Sequence, residues 1–115
     1  MRNNREFGFI CGDFSVGMSS NGFVLPGSDN DFFRKSMIPE ADQAQITGHY
    51  TLLVHHGGEV VCEAPVQVGW ATHASQAEPF LGMKADDGRA LRLLLGLYSG
   101  KHVELQFTPR ECVAG

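Results

Sequence analysis

At 115 residues, 43% of them hydrophobic, the chain suffices for one compact domain with a core of its own, so neither disulfides nor metals are required to hold it. A formal net charge of −4 excludes a nucleic-acid binder that relies on overall positive charge. Fourteen glycines, well above the usual share of about 7%, predict many turns and favour short strands over long helices.

Residues 1–6 read as a flexible polar segment, positively charged but without an apolar stretch of signal-peptide length. Phe7 to Val16 reads as one strand, with Ile10, Gly12, Phe14 and Val16 on a shared face. "SSNG" at 19–22 is a turn, because Asn and Gly both tolerate positive φ. "FVLP" starts a second strand that Pro26 closes. Ser28 or Asp29 then caps a short helix carrying Phe32 and Phe33. "IPEADQAQ" at 38–45 reads as a surface loop.

The clearest unit comes next. Ile46, Tyr50, Leu52 and Val54 share a strand face, Gly57-Gly58 turns a hairpin, and Ala64, Val66, Val68 and Trp70 are in phase on the return strand. Pro65 cannot donate to a ladder, which puts it at an edge or a bulge. A loop, "THASQAEP", and a short strand, "FLGMKA", succeed it. Asp86-Asp87 opens a helix on which Leu91, Leu94, Leu95 and Tyr98 follow the amphipathic template. Leu93 and Leu97 widen the apolar arc and predict a helix covered on more than one side. Gly100 ends it, and residues 101–115 supply an extra strand and tail, with Val103, Leu105 and Phe107 of "HVELQF" on one face. The sum is a mainly β domain, a small antiparallel sheet or barrel with a C-terminal α-helix packed over one opening. The longest apolar run, "LRLLLGLY", is too short to span a bilayer and carries Arg92. The expectation is a soluble, cytoplasmic protein with no membrane insertion, whose three scattered cysteines (Cys11, Cys62 and Cys112) are reduced thiols.

Chemistry-bearing residues do not combine into a catalytic pattern. His49 and His55 share a strand face but stand roughly 20 Å apart at about 3.3 Å per residue, and His55 and His56 point to opposite faces. With His73 and His102 they read as ordinary histidines, not metal ligands. No local signature surrounds any cysteine, and Asp86-Asp87 is a helix cap before it is an acid–base pair. The chain is therefore expected not to be an enzyme and to carry no cofactor, with a small metal- or thiol-dependent enzyme as the remote alternative. The stretch "CGDFSVGMSSNGFVL" at 11–25 and the N-terminal arginines remain. Arg2 and Arg5 could grip phosphate through their planar forks, and Ser19, Asn21 and Gly22 could complete an anion or nucleobase site. The plainer alternative is two solvated arginines and a polar turn.

The order of "GMSSNGFVL", "YTLLV", "APVQVGWA" and "PFLGMKADD" leading into the Leu-rich helix resembles the PilZ domain family. The resemblance covers roughly residues 12–98. Val68-Gly69-Trp70 stands at that family's V-x-W place, and Gly82-Met83 at the start of its next strand. PilZ domains are small β-barrels, many of which bind the bacterial second messenger cyclic di-GMP through an RxxxR segment and a DxSxxG turn. Here the turn is Gly17-x-Ser19-x-x-Gly22, with Gly17 at the acidic position. A second register, Asp13-x-Ser15, keeps the acid and puts Met18 at the closing glycine. The arginines form Arg2-Asn3-Asn4-Arg5, one residue short, and only eleven residues, Glu6 to Val16, separate Arg5 from Gly17. One family strand is therefore missing or replaced, with "HVELQF" or a second subunit as substitutes.

Each charge-assisted hydrogen bond lost to a nucleotide costs about 1.5–3 kcal/mol. Two such losses weaken binding a hundredfold or more at about 1.4 kcal/mol per tenfold. The resemblance thus implies one of two mechanisms. In the first the chain is an adaptor in cyclic di-GMP-linked signalling or type IV pilus motility, with weak or no nucleotide binding. It meets a protein partner through an apolar surface near Phe32, Phe33 and the C-terminal helix, although core packing is the simpler role for those two rings. In the second it is a cyclic di-GMP receptor in which Arg2 and Arg5 fold over the ligand against Ser19, Asn21 and Gly22. A homo-oligomer is compatible with either.

Overall fold

The computed structural model describes residues 6–29, 31–72 and 77–110. Its strands are β1 (Phe7–Cys11), β2 (Phe14–Met18), β3 (Val24–Ser28), β4 (Asp31–Phe32), β5 (Gly48–His56), β6 (Glu59–Ala71), β7 (Phe80–Lys84) and β8 (Val103–Pro109). A single helical turn, α1, spans Glu40–Gln43 and the longer α2 spans Gly88–Gly96. All strands join one antiparallel sheet in the order β1-β8-β5-β6-β7-β3-β2, with β4 paired to β3.

The ends of that order, β1 and β2, are consecutive in sequence and joined by Gly12-Asp13, so the sheet has to curl until its ends approach each other. Closure is nevertheless incomplete. β1 and β2 share no ladder. The Phe14 N–H donates to Lys101 O (3.0 Å) and the Gly100 N–H donates to Phe14 O (2.8 Å), so the chain following α2 occupies the edge of β2 where a barrel would pair. The expected barrel is therefore an open, curled sheet, with α2 packed on β2 and β3.

The β5–β6 hairpin forms as its alternation predicts. Tyr50, Leu52 and Val54 are buried from β5, opposite Val66, Ala64 and Cys62 of β6, and Gly57 and Gly58 take φ of +62° and +83° at the turn. Pro65 pairs with Thr51 on the β5 side, while β7 contacts β6 only from Gln67 onward, so its missing N–H falls outside that second ladder. β8, inserted between β1 and β5, buries Val103, Leu105 and Phe107. At one end of the core Phe7 stacks on Phe107 (4.6 Å between centroids) and Phe9 on Phe33 (4.3 Å), offset geometries that aromatic pairs favour.

Five expectations about these elements are corrected. Phe7 to Val16 is two strands, and it is Phe7, Phe9 and Cys11 that turn inward, leaving Ile10 outside at 68% exposure. Pro26 lies inside β3, because there β3 has a register partner only in β2, between the contact of Val24 with β7 and that of Gly27 with β4. No helix carries Phe32 and Phe33. Asp29 takes φ of 56° and turns the chain back along β3 as β4. Helical turns come later: one at Lys35–Met37, and α1 inside the 38–45 stretch expected to be a loop, where Pro39 precedes Glu40 and Asp42 places its charge in the first turn. Finally, Ile46 is buried but precedes β5.

α2 starts as expected: the Asp87 side chain accepts the Ala90 N–H (3.0 Å), an N-cap worth about 1 kcal/mol. Leu91 and Leu95 enter the core. Leu93 and Leu97 do not. They stand 69% and 68% exposed, so the helix is covered on one side and not on several.

Candidate functional site

The 19–22 turn joins β2 to β3 and closes on itself. The Ser19 N–H donates to Phe23 O (2.8 Å) and the Gly22 N–H to Ser19 O (3.2 Å), with Gly22 at φ +89°. The Ser19 hydroxyl accepts the Phe23 N–H (3.0 Å) and gives its own proton to Asn21 Oδ1. Ser19 is buried, while Asn21 and Gly22 are exposed. The hydroxyl that would face a ligand has spent its proton inside the turn, in the local side-chain bonding that stabilises such corners.

Phe23, the next residue along the chain, anchors the turn. It lies across β6 and β7 where two glycines leave room: a Cβ on Gly82 would come within 2.8 Å of the Phe23 Cβ, and one on Gly69 within 3.2 Å of its ring. Lys84 Nζ sits 5.3 Å from the centre of the same ring. The structure thus brings together the turn, Val68-Gly69-Trp70 and Gly82-Met83, and a phenylalanine is what joins them. Gly17, at the position where the resemblance expects an acid, faces the Phe32 ring, and a Cβ there would lie 2.6 Å from Phe32 Cζ. Phe32 in turn packs edge-on against Phe80 (6.0 Å) beside buried Leu25 and Ala71. The space for a carboxylate is filled by a ring that belongs to a core cluster. In the second register, the Ser15 hydroxyl is buried without a hydrogen-bond partner, and the Asp13 N–H is 3.5 Å from Ser28 Oγ.

Arg2 and Arg5, the remaining members of the expected site, lie outside the described residues, as do His73 and Cys112. Two of the other histidines are held in pairings of their own: His55 Nε2 is 2.8 Å from Gln106 Oε1, and His56 Nδ1 is 3.1 Å from His102 O. Among the described residues no three of His, Cys, Asp or Glu cluster closely enough to hold a metal ion. Burial pushes the Cys11 thiol up to about 11 and raises that of Cys62, which keeps both protonated and poorly nucleophilic at neutral pH.

The hollows that the described residues line include two that leave the turn out. One of about 340 Å³ runs between β1 and the 37–46 arm, lined by Phe7, Phe9, Met37 and Ile46; another of about 460 Å³ is bordered by His49, Gln67, Lys84 and Arg110. Neither includes Ser19, Asn21 or Gly22. Phe32 and Phe33 are partly buried and packed against core residues, in line with a packing role. A more exposed apolar surface stands on α2 and its C-cap Leu97, where Leu93, Leu94 and Leu97 are 69%, 41% and 68% exposed. This feature was readable in principle: Ala90, Leu93, Leu94 and Leu97 repeat at i, i+3, i+4 and i+7, a second apolar row beside the one through Leu91 and Leu95.

No family model, curated protein or solved structure matches the chain. Among the described residues no helix is long and apolar enough to cross a membrane.

Proposed function

We propose that the protein is a non-enzymatic, PilZ-like adaptor of a bacterial cytoplasm, serving cyclic di-GMP-linked signalling or type IV pilus motility through a protein partner. The observation that carries this reading is the leucine row of α2 and its C-cap, which no described residue covers. An exposed apolar row on a domain this small is the mark of an interaction surface. Weak or absent nucleotide binding goes with it, because the Ser19 hydroxyl is engaged within its own turn and Phe32 fills the acidic position at Gly17.

A receptor for cyclic di-GMP is the second reading, favoured by the exposure of Asn21 and Gly22 in one turn beside Lys84. In it, Arg2 and Arg5 would supply the phosphate contacts. Isothermal titration calorimetry with cyclic di-GMP separates the two. The adaptor gives no heat of binding at hundreds of micromolar ligand. Micromolar binding lost in Arg2→Ala/Arg5→Ala overturns it in favour of the receptor.

A further inference from the structure

We propose that the outer face of α2 docks an acidic amphipathic helix of a partner protein, an inference that rests on the adaptor reading and names the partner's chemistry. At 3.6 residues per turn, Ala90, Leu93, Leu94 and Leu97 form a row on a different side of the helix from buried Leu91 and Leu95. Arg89 and Arg92 flank one side of that row. Both are exposed, and among the described residues neither has a carboxylate partner. With Leu93, and with Met18 from the end of edge strand β2, they line a groove of about 320 Å³. The apolar row therefore has depth on the side where it carries charge.

These features select the occupant. A second copy is a poor fit, because three partly exposed leucines fall well short of the roughly 800 Å² per partner of a stable interface. Antiparallel pairing of α2 with itself, across a two-fold axis perpendicular to the helix, would also set the Arg89–Arg92 flank against its own image, and opposed like charges are costly. An anionic lipid surface extends beyond the arginine flank and would meet Asp86 and Asp87 at the start of the same helix and a chain of net charge −4, whereas a single helix can set its carboxylates at Arg89 and Arg92 alone. A helix with its own leucine row and carboxylates along one flank satisfies both features. Its apolar side chains cover Leu93 and Leu97, and its carboxylates take the planar forks of Arg89 and Arg92. Screening over about 8 Å at physiological salt lets this local basic flank outweigh the chain's overall acidity. The small area makes the contact weak and reversible.

The test is fluorescence anisotropy with two labelled helical peptides that share one leucine row, one flanked by glutamates and the other by lysines. The glutamate peptide is expected to bind with a Kd of roughly 10–100 µM. Arg89→Glu/Arg92→Glu should weaken it at least tenfold and transfer preference to the lysine peptide, while Leu93→Ser/Leu97→Ser removes both interactions. Circular dichroism should show unchanged melting for both variants, since all four side chains are exposed. Equal binding of the two peptides, or indifference to the arginine reversal, overturns the inference. So does a dimer in sedimentation equilibrium that Leu93→Ser/Leu97→Ser dissolves, which assigns the face to a second copy. Binding to phosphatidylglycerol vesicles but to neither peptide overturns it in favour of lipid. Nucleotide heat in calorimetry would sink the adaptor reading and leave the peptide result standing, so the two failures are distinguishable.

Discussion

The 19–22 turn and the outer face of α2 invert each other's appearance. The turn is polar, ends on a glycine and reads as a ligand loop, yet Ser19 is buried and its hydrogen bonds run inward. The helix face is leucine-rich and reads as core, yet its leucines stand in solvent. Residue type alone says what a side chain can do. Whether it is free to do so depends on its neighbours, here Asn21 and Phe23 for the turn, while among the described residues nothing buries Leu93 or Leu97.

The sharpest way to break this contrast is to truncate leucines on the two sides of α2. Leu95→Ala, on the fully buried side, should cost about 2–5 kcal/mol in urea unfolding, whereas Leu93→Ala and Leu97→Ala should each stay within about 0.5 kcal/mol. Equal losses on both sides would mean that the outer row is covered in the folded protein and that no free face exists. A smaller effect probes the turn. Gly17→Asp restores the acid of the resemblance but must displace the Phe32 ring, at a cost of about 1–3 kcal/mol, and should leave cyclic di-GMP unbound in calorimetry. A variant as stable as the parent that acquires nucleotide binding would show that Phe32 yields and that the turn retains ligand chemistry.

Sequence periodicity served best where one rule governed a long element. Alternation over β5, β6 and β8 and the Gly57-Gly58 turn place those strands, and Asp87 marks the start of α2. It failed where phase or partner had to be supplied from outside. Between Phe7 and Val16 both parities carry apolar residues, so the break at Gly12-Asp13 and the inward set Phe7, Phe9 and Cys11 depend on pairing with β8, a strand about a hundred residues away in places such as Phe7↔Phe107. Pro26 signals a strand end by itself and is tolerated only because β7 and β4 leave that position unpaired. For the site, the turn at 19–22 was legible and its self-satisfaction was not, since the close approach of Phe32 to Gly17 is a tertiary fact. The leucine row on α2 was visible as a pattern, but a helical period names the residues that share a face without saying whether that face is covered.

The most direct test is an amide NMR titration of one ¹⁵N-labelled sample, first with cyclic di-GMP and then with the glutamate-flanked helical peptide. The account predicts that the nucleotide leaves Ser19 to Phe23 unmoved and that the peptide shifts Arg89, Arg92, Leu93, Leu94 and Leu97. Nucleotide-dependent shifts concentrated at Ser19, Asn21 and Gly22, with α2 silent to the peptide, would contradict it and return the ligand to the turn.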